Sequence, residues 1–420
     1  MDGVRIDLRR PAFPADVQAA LDAGASVADL YPLEADVLIA RAREETGLHD
    51  LGDPGFRVPL DVLLDALRRE PGLSAMGRLG TFMQLLQLMK NRLLVEDVIA
   101  RHPEVLDLEV RRPIIVAGLP RTGTTHLQNL IAADPSLRFL PYWQAVEPVL
   151  GAAEAATLAP GDPDPRVTRC DTNLAFLDQA LPHFKAMFDL GTHHAHEEIN
   201  LLGIDFSTMF FDTMGDIPSW RAHYRATDQR PHYAYLKRVL QVLQHTDPRT
   251  GADGQPARWI LKSPQHLEQF GPLIDTFPDA TVLVTHRDPV AVTASMATMI
   301  TYVSWMSHEM IDPPRLARQW ATTIEQMLAA AVADRHLLPD DRSLDIRFDD
   351  FMADEPAVLA QAYAVADQPL DAAARAAHEA YLAEHRRGRH GALRYDLDEL
   401  ALDADDLRAR NAVYRDRFSV

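Results

Sequence analysis

The stretch Arg112-Pro113-Ile114-Ile115-Val116-Ala117-Gly118-Leu119-Pro120-Arg121-Thr122-Gly123-Thr124-Thr125-His126 constrains the fold of this chain more than any other. Its β-branched apolar run predicts a short buried strand. The strand ends in a turn bracketed by two glycines, and a helix-compatible segment through Ile131 comes next. In such a turn the N–H groups of the loop and first helical turn lack internal partners and point outward. Arg121, Thr122, Thr124 and Thr125 add side-chain donors. The arrangement suits a phosphate-like ester.

The same residues also exclude a reading. Gly118 and Gly123 have the spacing of a nucleotide-triphosphate loop, but Thr124 stands where that loop carries its lysine. The missing lysine normally reaches the terminal phosphates. A P-loop kinase would also need an acidic strand end for magnesium, and none is evident. Its absence weakens the kinase alternative. A second alternative is a nucleotide-binding protein that has lost catalysis.

A second element lies downstream. Arg258-Trp259-Ile260-Leu261 reads as a strand, followed by Lys262-Ser263-Pro264-Gln265-His266 and a helical stretch from Leu267 to Phe277. Ala280 to Thr285 is another strand, and it runs into His286-Arg287-Asp288-Pro289. Asp288 fits a helix N-cap and Pro289 the first helical position. Arg287 therefore falls at the carboxyl edge of a strand, where open α/β sheets bind ligands.

In these motifs the chain resembles the sulfotransferases that use 3′-phosphoadenosine 5′-phosphosulfate (PAPS). Gly118 to Thr125 looks like their 5′-phosphosulfate loop, and Arg287 with Ser295 looks like their 3′-phosphate motif. Lys262-Ser263-Pro264, ahead of Phe277-Pro278-Asp279-Ala280, is similar to their connecting segment. Ile346 to Phe351, followed by Asp354-Glu355-Pro356, resembles a further one, with Phe348 where members often have tyrosine. Arg386-Arg387-Gly388-Arg389-His390-Gly391 resembles their basic loop over the nucleotide.

The resemblance implies PAPS as co-substrate, PAP as product and a hydroxyl on a small or medium-sized molecule as acceptor, with no metal. It implies a nucleotide site made by Arg121, Thr122, Gly123, Thr124, Thr125, His126, Arg287, Ser295, Arg386, Arg387, Gly388 and Arg389. Sulfuryl transfer asks the protein to neutralise the leaving nucleotide, hold the transferring group and remove a proton. Arg121 and Lys262 are the candidates for the first two tasks. His266 is a candidate base, because a neutral imidazole suits proton removal near pH 7. Thr192-His193-His194-Ala195-His196-Glu197-Glu198 is the rival source, through His194, Glu197 or Glu198. That cluster lacks a recognised metal-ligand spacing.

The strands near 114, 259, 282 and 345, separated by helices, predict an α/β fold with a central parallel sheet flanked by helices. Residues 1–110 are read as an N-terminal helical cap, or a surface for a homodimer, since apolar pairs from Phe82 to Ile99 recur at helical spacing. Residues 111–420 form the main domain, with a mostly helical insertion at about 150–255. Within it, 150–170 reads as an exposed linker. Phe176, Phe184, Phe188, Phe206, Phe210, Phe211, Trp220, Tyr224, Tyr233 and Tyr235 of the insertion either line an apolar acceptor pocket or pack as core.

The net charge of −19 argues against nucleic acid as a partner and requires any basic site to be local. No apolar run is long enough for a membrane span. Cys170, the one cysteine, allows no internal disulfide and fits a reducing cytoplasm.

Overall fold

The β-branched run Ile114-Ile115-Val116 lies at the centre of a sheet and is buried on both faces. Ile114 and Val116 pack into one apolar layer, Ile115 and Ala117 into the other. This is why an uninterrupted apolar run, not an alternating one, marks a central parallel strand. Each such side chain contributes about 1.5–3 kcal/mol relative to exposure. The structure is a computed structural model and describes residues 4–251, 253–386, 391 and 393–420.

Five parallel strands make the main sheet: β1 (Ile114–Gly118), β2 (Leu137–Phe139), β3 (Arg258–Ser263), β4 (Thr281–His286) and β5 (Ser343–Arg347). Their order is β2-β3-β1-β4-β5. The chain leaves β1 toward β2 and β3 on one side, then crosses to β4 and β5 on the other. Loops at the carboxyl end of β1 therefore diverge from those of its neighbours, and a crevice opens between them. The register sets Lys262 beside Val116 and Thr285 beside Gly118. A two-residue parallel pair, Val4–Arg5 with Leu393–Arg394, ties the two ends of the chain together.

The four expected strands are all present, and β2 is an addition. It is a three-residue edge strand paired only to β3. Four helices position the site or support it: α1 (Ala75–Arg101), α2 (Thr124–Ala132), α3 (Arg230–Thr246) and α4 (Pro289–Ser304). The stretch read as a linker ends instead in a helix over Pro165–Ala180, where the Asp164 side chain accepts from the Arg166 amide at 2.9 Å.

One face of the sheet is covered by α2 and by the helices near Phe351 and Tyr363. The other is covered by α3 and the N-terminal helices, in an apolar layer that joins Phe82 and Leu85 to Ile115, Trp259 and Val282. No described helix is long and apolar enough to cross a membrane.

Candidate active site

The glycine turn is built against β4. A Cβ on Gly118 would lie 1.9 Å from Thr285 Oγ1, so only glycine fits between the strands there. Thr122 closes the turn: its hydroxyl donates to the Leu119 carbonyl at 2.6 Å and its amide does so at 3.3 Å. The hydroxyl also lies 2.7 Å from Thr285 Oγ1. Thr122 is thus spent on holding the loop and offers no donor to a ligand, contrary to the expectation. Gly123 has φ +85° and immediately precedes α2. Arg121 has φ +72°, a left-handed conformation that costs a non-glycine residue roughly 1–2 kcal/mol. Thr124 and Thr125, the first residues of α2, present N–H groups with no intrahelical partner.

Arg287 leaves the end of β4 and turns back onto this loop. Its Nη1 donates to the Arg121 carbonyl at 2.6 Å, and its guanidinium lies 3.9 Å from the centre of the Phe348 ring. The turn after it is capped as expected, with the Asp288 carboxylate accepting from the Val290 amide at 3.0 Å and Pro289 opening α4. Arg121 Nε donates to Ser295 Oγ at 2.9 Å, and its Nη1 donates to the Met187 carbonyl. Ser295 is buried, with its hydroxyl facing Arg121. It orients that guanidinium and does not itself line the crevice.

The crevice is a cavity of about 300 Å³. Of the expected site residues, Arg121, Gly123, Thr124, Thr125, His126, His194, Arg287 and Arg386 line it. Arg387, Gly388 and Arg389 lie outside the described residues. Lys185, Glu355, Tyr381 and His385 also line the cavity and were missed. Glu355 Oε1 accepts from His126 Nε2 at 3.0 Å, and it sits in the Asp354-Glu355-Pro356 stretch that did stand out in the sequence. Tyr381 and His385 stack at 4.0 Å, a pairing open to residues four apart on a helix. Four cationic residues (Arg121, Lys185, Arg287 and Arg386) and two acidic ones (Asp189 and Glu355) line this space, with the Lys185 ammonium paired to Asp178. The wall is locally basic on a chain of strongly acidic net charge.

Lys262 reaches the same loop from β3. Its Nζ donates to Thr125 Oγ1 at 3.4 Å and also to Glu197 Oε1. Its backbone amide donates to Glu198 Oε2 at 2.7 Å. Two consecutive glutamates therefore hold one lysine, by its side chain and by its main chain. The other oxygen of Glu198 lies 2.6 Å from His266 Nε2, and His266 Nδ1 lies 2.8 Å from the Tyr233 hydroxyl. A carboxylate only accepts, so His266 Nε2 is the donor in the contact with Glu198. His266 and Glu198 are 0% exposed.

This corrects the reading of the base. His266 has both ring nitrogens engaged and Glu198 both oxygens, and neither reaches the cavity. They fix the end of β3 from behind. Glu197 keeps 15% of its side chain exposed. His194 lines the cavity, with Nδ1 3.4 Å from the Asp189 carbonyl. His196 is buried between Tyr142 and Phe188, and burial, reinforced by the nearby Lys262 charge, pushes it down to about 3. Among the described residues no group of three or more His, Cys, Asp or Glu side chains is placed to hold a metal ion.

The aromatic insertion divides. Phe206, Phe211, Trp220, Tyr224 and Tyr233 are core. Phe188 lines the anion cavity, while Phe176 and Phe210 line a separate cavity of about 240 Å³ beside Met76 and Met306.

A basic cavity at the carboxyl edge of a parallel sheet, with a glycine turn on one wall, defines a protein built to bind an anionic group. The chain belongs to the sulfotransferase family, which matches residues 113–372. It is an enzyme of that class, and its reaction is sulfuryl transfer. Among solved structures it is similar to sulfotransferase STF9 from Mycobacterium avium, at 28% identity and a TM-score of 0.79 over 92% of this chain and 97% of that one. It is also similar to sulfotransferase STF1 from Mycobacterium tuberculosis H37Rv, at 26% identity and a TM-score of 0.77 over 90% and 98%. Both likenesses extend beyond residues 113–372 and so take in part of the flanking helices. No curated protein sequence matches the chain.

Proposed function

We propose that the protein moves a sulfuryl group from PAPS to a hydroxyl of a small or medium-sized acceptor by in-line displacement. One observation carries the reading: the glycine turn and Arg287, far apart in sequence, line a single cavity and touch through the Arg121 carbonyl. A donor with an anionic group at each end needs two such sites at a fixed separation.

The residues present fit that donor. The N–H groups of Thr124 and Thr125 and the Arg121 guanidinium suit the phosphosulfate. Arg287 and Arg386 suit the 3′-phosphate. Lys262, on the strand beside the loop, supplies the mobile positive charge that Thr124 removes from the loop itself. When bound, PAPS supplies an activated sulfur and a phosphate leaving group. The chain supplies fixed donors that require no reorganisation as charge moves.

The test is a calorimetric titration with PAP, alongside an acceptor screen with PAPS that reads PAP formation. Arg287→Ala should weaken PAP binding by about 2 kcal/mol, roughly 30-fold. Unchanged affinity would remove Arg287 from the donor site. Magnesium-dependent ATP turnover without PAP binding would favour the kinase reading.

A further inference from the structure

Phe188 meets both the anion cavity and the lysine beside it. We propose that Phe188 is a specificity residue for the reaction: its ring keeps water from the bound donor, so that the sulfuryl group passes to the acceptor and not to solvent. This rests on the PAPS reading above.

Phe188 lines the cavity together with Arg121, Thr124 and Thr125. The Lys262 ammonium lies 5.9 Å from the centre of its ring. That ammonium donates to Thr125 Oγ1 at 3.4 Å, so it stands at the loop. Yet the Lys262 side chain is only 2% exposed and does not line the cavity. A charge so close to an open basic cavity stays dry through what covers it, and Phe188 touches the ammonium on one hand and the cavity on the other.

The ring is held from several sides. Its centre lies 6.2 Å from that of Phe184 and 6.0 Å from that of His196, which meets it edge-on. His196 is kept neutral by burial and by the nearby Lys262 charge, so these neighbours are uncharged. The preceding residue, Met187, is buried, and its carbonyl accepts from Arg121 Nη1. Leu190, two residues on, packs with Cys170 and Leu174. The position of Phe188 is therefore tied to an arginine that faces the donor.

Water is the competing nucleophile in such a site. In that side reaction a water oxygen bonds to sulfur, and the bond from sulfur to the 5′-phosphate oxygen breaks. The electron pair stays on the phosphate, the water's proton passes to solvent, and the products are sulfate and PAP. An aromatic ring offers water no strong hydrogen-bond partner and fills the space beside Lys262. An acceptor brings a body of its own to close the cavity, which a water does not.

The test needs no identified acceptor. PAP release is followed with PAPS as the only substrate, in the wild type and in two variants. Phe188→Ala should raise this acceptor-free rate about 10-fold, because water then reaches the loop. Phe188→Leu keeps part of the apolar bulk and should raise it about 2- to 3-fold, and it carries the test if the alanine variant fails to fold. Calorimetric binding of PAP by each variant checks that the loop is intact. An acceptor-free rate at or below that of the wild type in the folded variants would overturn the proposal. So would an equal rise in Met352→Ala, which trims another part of the cavity wall, because the effect would then be a general loosening. A wild-type protein that does not bind PAP would overturn the donor reading itself, and this proposal with it.

Discussion

Gly118 carries more of the site than any charged residue, because it lets two strands and a loop meet. Thr285 Oγ1 sits where its side chain would be, and the Thr124 methyl lies 2.8 Å from the same point. Gly118→Ala should therefore destabilise the fold by about 1–3 kcal/mol in urea unfolding, the usual cost of overpacking. It should also reduce PAP affinity in calorimetry, since the Thr122–Thr285 contact that shapes the loop would be forced apart. Thr285→Ala in the same chain should recover part of the stability by making room. A single variant as stable as the wild type would show that the strands yield more easily than this packing implies. Such residues are legible in a sequence because glycine at fixed spacing after a β-branched run has few other uses. The buried place of His266 was not legible. His266 comes after Lys262 at a distance that looks favourable, yet the 3₁₀ turn over Pro264–Glu268 carries its ring into the interior against Tyr233. Glu197 and Glu198 are neighbours of identical chemistry, and only the folded chain separates them, by burial and by partners: the Lys262 ammonium for Glu197, the Lys262 amide and His266 for Glu198.

Among the elements, α4 links the two halves of the site. It begins at the Asp288 cap, directly after Arg287, and two turns later brings Ser295 to the Arg121 guanidinium. Both of these cavity-lining arginines therefore depend on how this helix starts. Asp288→Ala removes the side-chain cap and should cost about 1 kcal/mol of stability in chemical denaturation. PAP binding should weaken as well, although Asp288 does not line the cavity. Loss of stability with PAP affinity unchanged would show that Arg287 is held by β4 alone. Asp288-Pro289 could be read directly as a helix start, because cap and first-turn preferences are local. The edge strand β2 could not. It has three residues, one of them Arg138, whose guanidinium is buried on the Leu243 and Asp247 carbonyls at the end of α3. A charged residue in so short a run gives no alternation to read, and the contacts that bury it lie more than a hundred residues away.

At the scale of the molecule, the N-terminal helices share the interior of the catalytic fold. The layer beneath the sheet joins Leu38, Leu63 and Phe82 to Ile115, Trp259 and Val282. The joint also contains a buried ion pair. Arg92 of α1 donates to Asp205 Oδ1 at 2.6 Å, and to the Leu51 and Asp53 carbonyls at 2.7 and 2.9 Å. Its guanidinium lies between the rings of Phe56 and Tyr235. His232 of α3 contacts the other oxygen of Asp205. Asp205 belongs to the insertion and Arg92 to the N-terminal segment, so removing that segment would leave a buried carboxylate without its arginine. Breaking such a pair from one side costs about 3–5 kcal/mol, and the lost apolar contacts add to it. A chain shortened to residues 111–420 should therefore fail to unfold cooperatively and should not bind PAP. Arg92→Met, which keeps the apolar stem and loses the charge, should lower the stability of the full chain by a similar amount, about 3–5 kcal/mol. Calorimetry of the full chain should show one transition. Two separate transitions, or a shortened chain with full PAP affinity, would mean that the helices only rest on a catalytic unit able to fold alone.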